Sequence, residues 1–145
     1  MRSPRVLVPI VLLAAGISRA EPADINTYTG PGFKEEEITQ GLKACEESSL
    51  ANQIEIGNCS SLRMYRAERN LDKTYKELLA ALNKWGVSEE GAHLQLTQMA
   101  WLVFRDLDCK QFDSGTAVSA YWGGCITHHA EEREAALRLR IEDRQ

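Results

Sequence analysis

The sequence predicts an all-α fold: a small helical bundle with a long antiparallel helical hairpin plus a C-terminal helix, stapled by two disulfides. Three observations carry this. Met64, Ala67, Leu71, Tyr75, Leu78, Leu82 and Trp85 follow one another in steps of three and four, the period of a helix with one buried face. No stretch alternates apolar and polar residues as a half-buried strand does. Four cysteines, Cys45, Cys59, Cys109 and Cys125, form an even set in a chain that carries an export signal, which calls for two bridges.

Taken from the N-terminus, Arg2 and Arg5 precede the apolar run Val6 to Ile17, and Ser18-Arg19-Ala20 follows it. A basic start, about a dozen apolar residues and small residues at −3 and −1 make a Sec-type signal peptide, residues 1–20, with cleavage expected between Ala20 and Glu21. The run is too short to span a bilayer, which needs ~20 residues. No cysteine follows it to carry a lipid, so the expected product is soluble and periplasmic or secreted, with no membrane span in the mature chain. Residues 21–35 hold Pro22, Gly30, Pro31 and Gly32 with few large apolar side chains, and read as a flexible lead-in. The helical domain is expected over residues 36–145.

A short helix around Glu35 to Lys43 precedes a long one that starts at a cap, Ser48 or Ser49, and runs to about Lys84. Gly57 is a weak point inside it. Gly86, just past the last stripe residue, suits a left-handed C-cap. Ser88 reads as the next N-cap, with Glu89 and Glu90 at the positive end of the helix dipole. This second long helix runs to about Cys109, and the short link makes the two an antiparallel hairpin. Lys110 to Gly124 reads as irregular, broken by Gly115, Gly123 and Gly124. A last, highly charged helix runs from about Ile126 to near the C-terminus.

Within the hairpin, Gln98, Trp101 and Arg105 stack on one face of the second helix. Counting equal distances from Gly86 sets Trp101 opposite Leu71, Gln98 near Tyr75 and Arg105 near Ala67, with Glu68 beside it. Glu68–Arg105 is therefore the candidate buried ion pair; in the alternative, Glu68 is solvated and Arg105 pairs with Asp108. The same count sets Cys109 one turn from Cys59. This favours Cys59–Cys109 and, by elimination, Cys45–Cys125, while Cys45–Cys59 with Cys109–Cys125 stays open.

Composition and motifs exclude several functions. Without the three leader arginines, 14 basic residues face 21 acidic ones, a net charge of −7. Phosphate backbones select basic surfaces, so no nucleic acid partner is expected. No two cysteines stand at C-x-x-C spacing. His128 and His129 diverge on a helix, His128 with Glu132 makes at most half a metal site, and no metal or cofactor is expected. There is no G-x-S-x-G, H-E-x-x-H, P-loop or dinucleotide fingerprint. With all cysteines paired, no thiolate is available. The sequence presents no catalytic constellation, and the chain is not expected to be an enzyme.

The pattern Cys59…Leu71…Tyr75…Leu78, then Leu94…Gln98…Trp101…Phe104-Arg105-Asp106…Cys109, then Ser114-Gly115-Thr116…Cys125…Arg133…Leu137, resembles the LprI-type lysozyme-inhibitor family. The resemblance covers about Cys45 to Leu137. Glu68 stands where that family usually has Asp, and Asp72 where it usually has Asn. Ser114 replaces the first Gly of a Gly-Gly-Ser turn, and a customary Thr before Arg133 is absent. The resemblance implies an exported envelope protein that binds another protein and inhibits lysozyme. Common animal lysozymes are basic, and complementary charge speeds encounter with an acidic chain. The other reading is a periplasmic immunity or scaffold-type module directed at a different protein. Glu68, Gln98, Trp101 and Arg105 read as structural. The expected partner contact is Lys110, Tyr121 and Trp122 on the segment tethered by Cys109 and Cys125, because aromatic anchors dominate interface energy. In the alternative, the two aromatics tuck under the last helix.

Overall fold

The computed structural model describes residues 32–114 and 118–144. The proposed signal peptide and most of the lead-in lie outside them. Four α-helices and one 3-10 turn make up the described chain: α1 (Glu35–Glu47), α2 (Gln53–Lys84), α3 (Ser88–Cys109), the turn Lys110–Phe112, and α4 (Val118–Glu142). No strand occurs among the described residues, and no helix there is long and apolar enough to cross a membrane.

α1 opens with Glu35, Glu36 and Glu37 against its positive end, and Glu37 accepts a hydrogen bond from the Lys34 backbone N–H at 2.6 Å. It extends to Glu47, further than its sequence pattern indicated. The next helix does not begin at Ser48 or Ser49. Leu50 takes φ +47°, which breaks the helix, and the Ser48 hydroxyl accepts from the Leu50 N–H instead. The cap is Asn52, whose side chain accepts from the Glu55 N–H at 3.0 Å. The chain therefore reverses at 48–52, and α1 returns along α2. Ile38, Leu42 and Cys45 bury themselves there, and Glu35 pairs with Arg69 at 3.0 Å.

α2 passes through Gly57 without a break and ends at Gly86 with φ +75°. The Val87 N–H reaches back to the Leu82 carbonyl and the Gly86 N–H to that of Asn83, the paired bonds of a Schellman ending. Ser88 is the first residue of α3 rather than its cap, which is Val87. α3 then runs antiparallel to α2.

The last helix begins eight residues earlier than the glycines suggested. Gly123 and Gly124 are interior to α4. A helical glycine is destabilising, but Gly123 is where α4 meets α2: a Cβ there would stand 2.7 Å from Ser60 Oγ. Ser60 donates to the Ala120 carbonyl at 3.0 Å and Thr74 bonds Glu134 at 3.1 Å, so α2 and α4 run in the same direction with a constant offset. α4 lies closer along α2 than α3 does. The four helices alternate in direction, and α2 is the central one.

The core follows. Leu71, Tyr75, Leu78 and Leu82 of α2, Leu94 of α3, and Ala130 and Leu137 of α4 form the main cluster, with Trp101 packed on its edge. Each fully buried leucine contributes about 1.5–3 kcal/mol. A smaller cluster of Met64, Cys109 and Ile126 closes the other end, with Tyr65, Trp122 and Cys125 against it.

The bridges are Cys45–Cys59 and Cys109–Cys125, with Cα atoms 5.8 and 5.7 Å apart. This is a correction: Cys59–Cys109 and Cys45–Cys125 do not form. The cysteines of α2 and α3 have nearer partners on α1 and α4 than on each other. Because α1 doubles back along α2, and α4 reverses after α3 to lie along α2, each bridge instead joins two helices consecutive in sequence.

Candidate functional site

The polar centre of the molecule is built on α3. Arg105 is 3% exposed and Glu68 2% exposed, and the Arg105 Nη1 donates to Glu68 Oε1 at 3.0 Å. Its Nε and Nη2 both donate to Asp106 Oδ1, at 2.9 and 2.7 Å. One guanidinium thus joins a buried carboxylate on α2 to an exposed one beside it. Asp108 takes no part, because it bonds His129 at 2.8 Å. Burial raises the Glu68 carboxyl above its ordinary range, and the Arg105 charge offsets part of that rise.

One turn earlier Trp101 lies between two cations, Arg105 at 5.4 Å and Arg133 of α4 at 5.9 Å from the ring centre. Such contacts are worth about 0.5–2 kcal/mol each. The Arg133 Nε donates to Gln98 Oε1 at 3.0 Å. Burial, with repulsion from Arg140, lowers the Arg133 guanidinium below its usual range. The Gln98 side-chain nitrogen is buried with no acceptor. The face Gln98–Trp101–Arg105 is therefore a clamp that ties α3 to α2 through Glu68 and to α4 through Arg133. Arg133 of α4 stands in the family pattern of the sequence and on one helical face with Ile126, His129 and Leu137, but its part in this clamp shows only in the structure, where α4 brings it beside Gln98 and Trp101.

Lys110 and Trp122 do come together, with Glu68, Arg105, Asp106 and Asp113, around a surface depression of about 330 Å³. The route differs from the expected loop. Lys110 sits on the 3-10 turn, and Tyr121 and Trp122 lie in the first turns of α4, because Gly123 and Gly124 do not interrupt that helix. Trp122 packs against the Met64, Cys109 and Ile126 cluster, whereas Tyr121 is 67% exposed and does not line the depression.

His129 also lies near Cys109 and Cys125, with potential ligand atoms within 4.8 Å of one another. Both sulfurs are committed to their bridge, and the imidazole is held by Asp108 and set edge-on to Phe104 at 5.5 Å. This arrangement offers no thiolate to a metal.

The fold and its polar clamp define a class: a small, disulfide-stapled helical domain whose most distinctive polar residues hold its own helices together. The family model for the lysozyme inhibitor LprI matches residues 45–137, nearly two thirds of the chain, and the protein belongs to that family. Neither the curated proteins nor the solved structures compared with it contain a match. The family is one of exported inhibitors rather than enzymes, and paired cysteines fit an oxidising compartment outside the cytoplasm.

Proposed function

We propose that this protein is exported by the signal peptide of residues 1–20 and binds and inhibits lysozyme in the cell envelope. The observation that carries the reading is the family match over residues 45–137. The acidic composition supports it, because a basic enzyme is drawn to such a surface at low salt.

Tyr121, Lys110 and Trp122 make the proposed contact. Lys110 and Trp122 line the depression with Glu68 and Arg105, Asp106 and Asp113 add acidic groups to it, and Tyr121, exposed on α4, is the residue before Trp122. The clamp residues Gln98 and Arg105 are buried and serve the contact only by fixing its wall.

The test is a lysozyme assay with and without the purified, oxidised protein, repeated at rising ionic strength. Inhibition that weakens with salt is expected. Tyr121→Ala, whose side chain is exposed, should keep its melting temperature and inhibit less. No inhibition by the wild type sinks the function; full inhibition by folded Tyr121→Ala moves the contact elsewhere. Capture of a different envelope protein, with no effect on lysozyme, would favour the immunity or scaffold reading.

A further inference from the structure

α3 is apolar on two opposite sides. Its inner face holds Leu94, Gln98, Trp101, Arg105 and Cys109. Its outer face carries Leu96, Met99, Val103 and Leu107, which are 62%, 50%, 61% and 66% exposed, with exposed Ala92 a turn before them, exposed Ala100 among them and Phe104, 55% exposed, on one flank. These follow one another in steps of three and four and form a continuous stripe down the helix. No charged side chain interrupts it between Glu90 and Arg105, apart from the titratable His93 on its flank. A helix that is apolar all round belongs inside a bundle, with neighbours on both sides. Here the inner side has α2 and α4, and the outer side has none among the described residues.

We propose that this outer face is a two-fold interface with a second copy of the same chain, α3 against α3 in antiparallel orientation. Complementarity argues for that occupant. A two-fold axis between Met99 and Ala100 sets Leu96 opposite the second copy's Val103 and Ala92 opposite the second copy's Leu107. Met99 then covers the second copy's Ala100, large against small, which is how facing helices interdigitate. At each end Glu89 falls level with the second copy's Lys110, so acid meets base twice. Area agrees. Six or seven side chains exposed to about this extent present roughly 600 Å² per copy, at the top of what a monomer normally shows. Doubled, roughly 1,200 Å² reaches the lower bound of a stable interface. This inference does not rest on lysozyme binding; Tyr121 and Trp122 are on α4, outside the stripe, and Lys110 is the one residue that belongs to both surfaces.

Sedimentation equilibrium of the purified, oxidised protein over the micromolar range tests it. The wild type should fit a monomer–dimer equilibrium. Val103→Glu places two like charges beside the axis and should raise the dissociation constant about 100-fold or more, with an unchanged melting temperature of the monomer. Leu96→Glu, a turn or more away, should repeat that result if the first variant folds poorly. Glu89→Lys should weaken the dimer about 5-fold, and Glu89→Lys with Lys110→Glu should restore it. A monomeric wild type overturns the proposal, including one in which Val103→Glu abolishes lysozyme binding instead. A dimer that survives both stripe substitutions, or a charge swap that fails to restore association, overturns it as well.

Discussion

Glu68 sits in an environment that opposes its charge and supplies a partner for it at the same time. Burial acts more strongly on the carboxyl than Arg105 does, and its pKa rises above the ordinary 4.5. The sign for stability follows from linkage. Between 4.5 and the higher folded-state value the native chain holds more protons than the unfolded one, so Glu68's contribution is full below 4.5 and is lost as pH rises through that window. Against Glu68→Gln, which does not titrate, the wild type should lose relative stability from pH 4.5 upward, read by denaturant unfolding at a series of pH values. Removing the carboxylate altogether is different. Glu68→Ala strands a buried guanidinium that keeps only Asp106, and should cost about 3–5 kcal/mol. Adding Arg105→Met should recover part of this. Additive losses in that double-mutant cycle would mean the 3.0 Å contact carries no coupling.

Helix pairing makes its own predictions. The two adjacent glycines of α4 have opposite surroundings. Gly123→Ala brings a Cβ to 2.7 Å from Ser60 Oγ and close to the Ser60 backbone, so either the Ser60–Ala120 hydrogen bond breaks or α4 moves off α2. A loss of about 1–3 kcal/mol is expected. Gly124 has open space around its Cβ position and is exposed, so Gly124→Ala should stabilise by about 0.5–1 kcal/mol through helix propensity alone. Thermal melts of the two single variants check this, and equal effects would mean that the close α2–α4 approach is not felt.

At the scale of the whole molecule, stability is divided between a helical core and two staples at its margins. Cys45–Cys59 ties α1 to α2 across 14 residues and Cys109–Cys125 ties α3 to α4 across 16. α1 contributes Ile38, Leu42 and Cys45 to burial but no member of the main cluster. Losing Cys45–Cys59 (Cys45→Ser with Cys59→Ser) should therefore cost about 2–5 kcal/mol and free α1 first. Hydrogen exchange should report lost protection in 35–47 ahead of α2. Mass spectrometry of an unreduced digest should find the 45–59 and 109–125 cross-links; fragments joined as 59–109 would contradict this pairing.

Read alone, the sequence is enough for the all-α class, the α2–α3 turn at Gly86, and the meeting of Glu68 with Arg105. These depend on helical period and on counting from a well-marked turn, both local properties. It did not determine where α4 begins, because Gly123 and Gly124 look like breaks in one dimension, whereas in the fold Gly123 lets α4 approach Ser60 closely and Gly124 is a tolerated exposed glycine. Nor did it determine which cysteines join. That choice followed from α1 doubling back along α2 and α4 reversing after α3 to lie along α2, a matter of how the helices pack rather than of spacing. The exposed stripe from Leu96 to Leu107 shows the same division. Its period is present in the sequence, and counting from Gly86 already turns the Gln98–Trp101–Arg105 side toward α2; that the opposite side meets no other helix among the described residues is visible only once α4 has taken its place along α2.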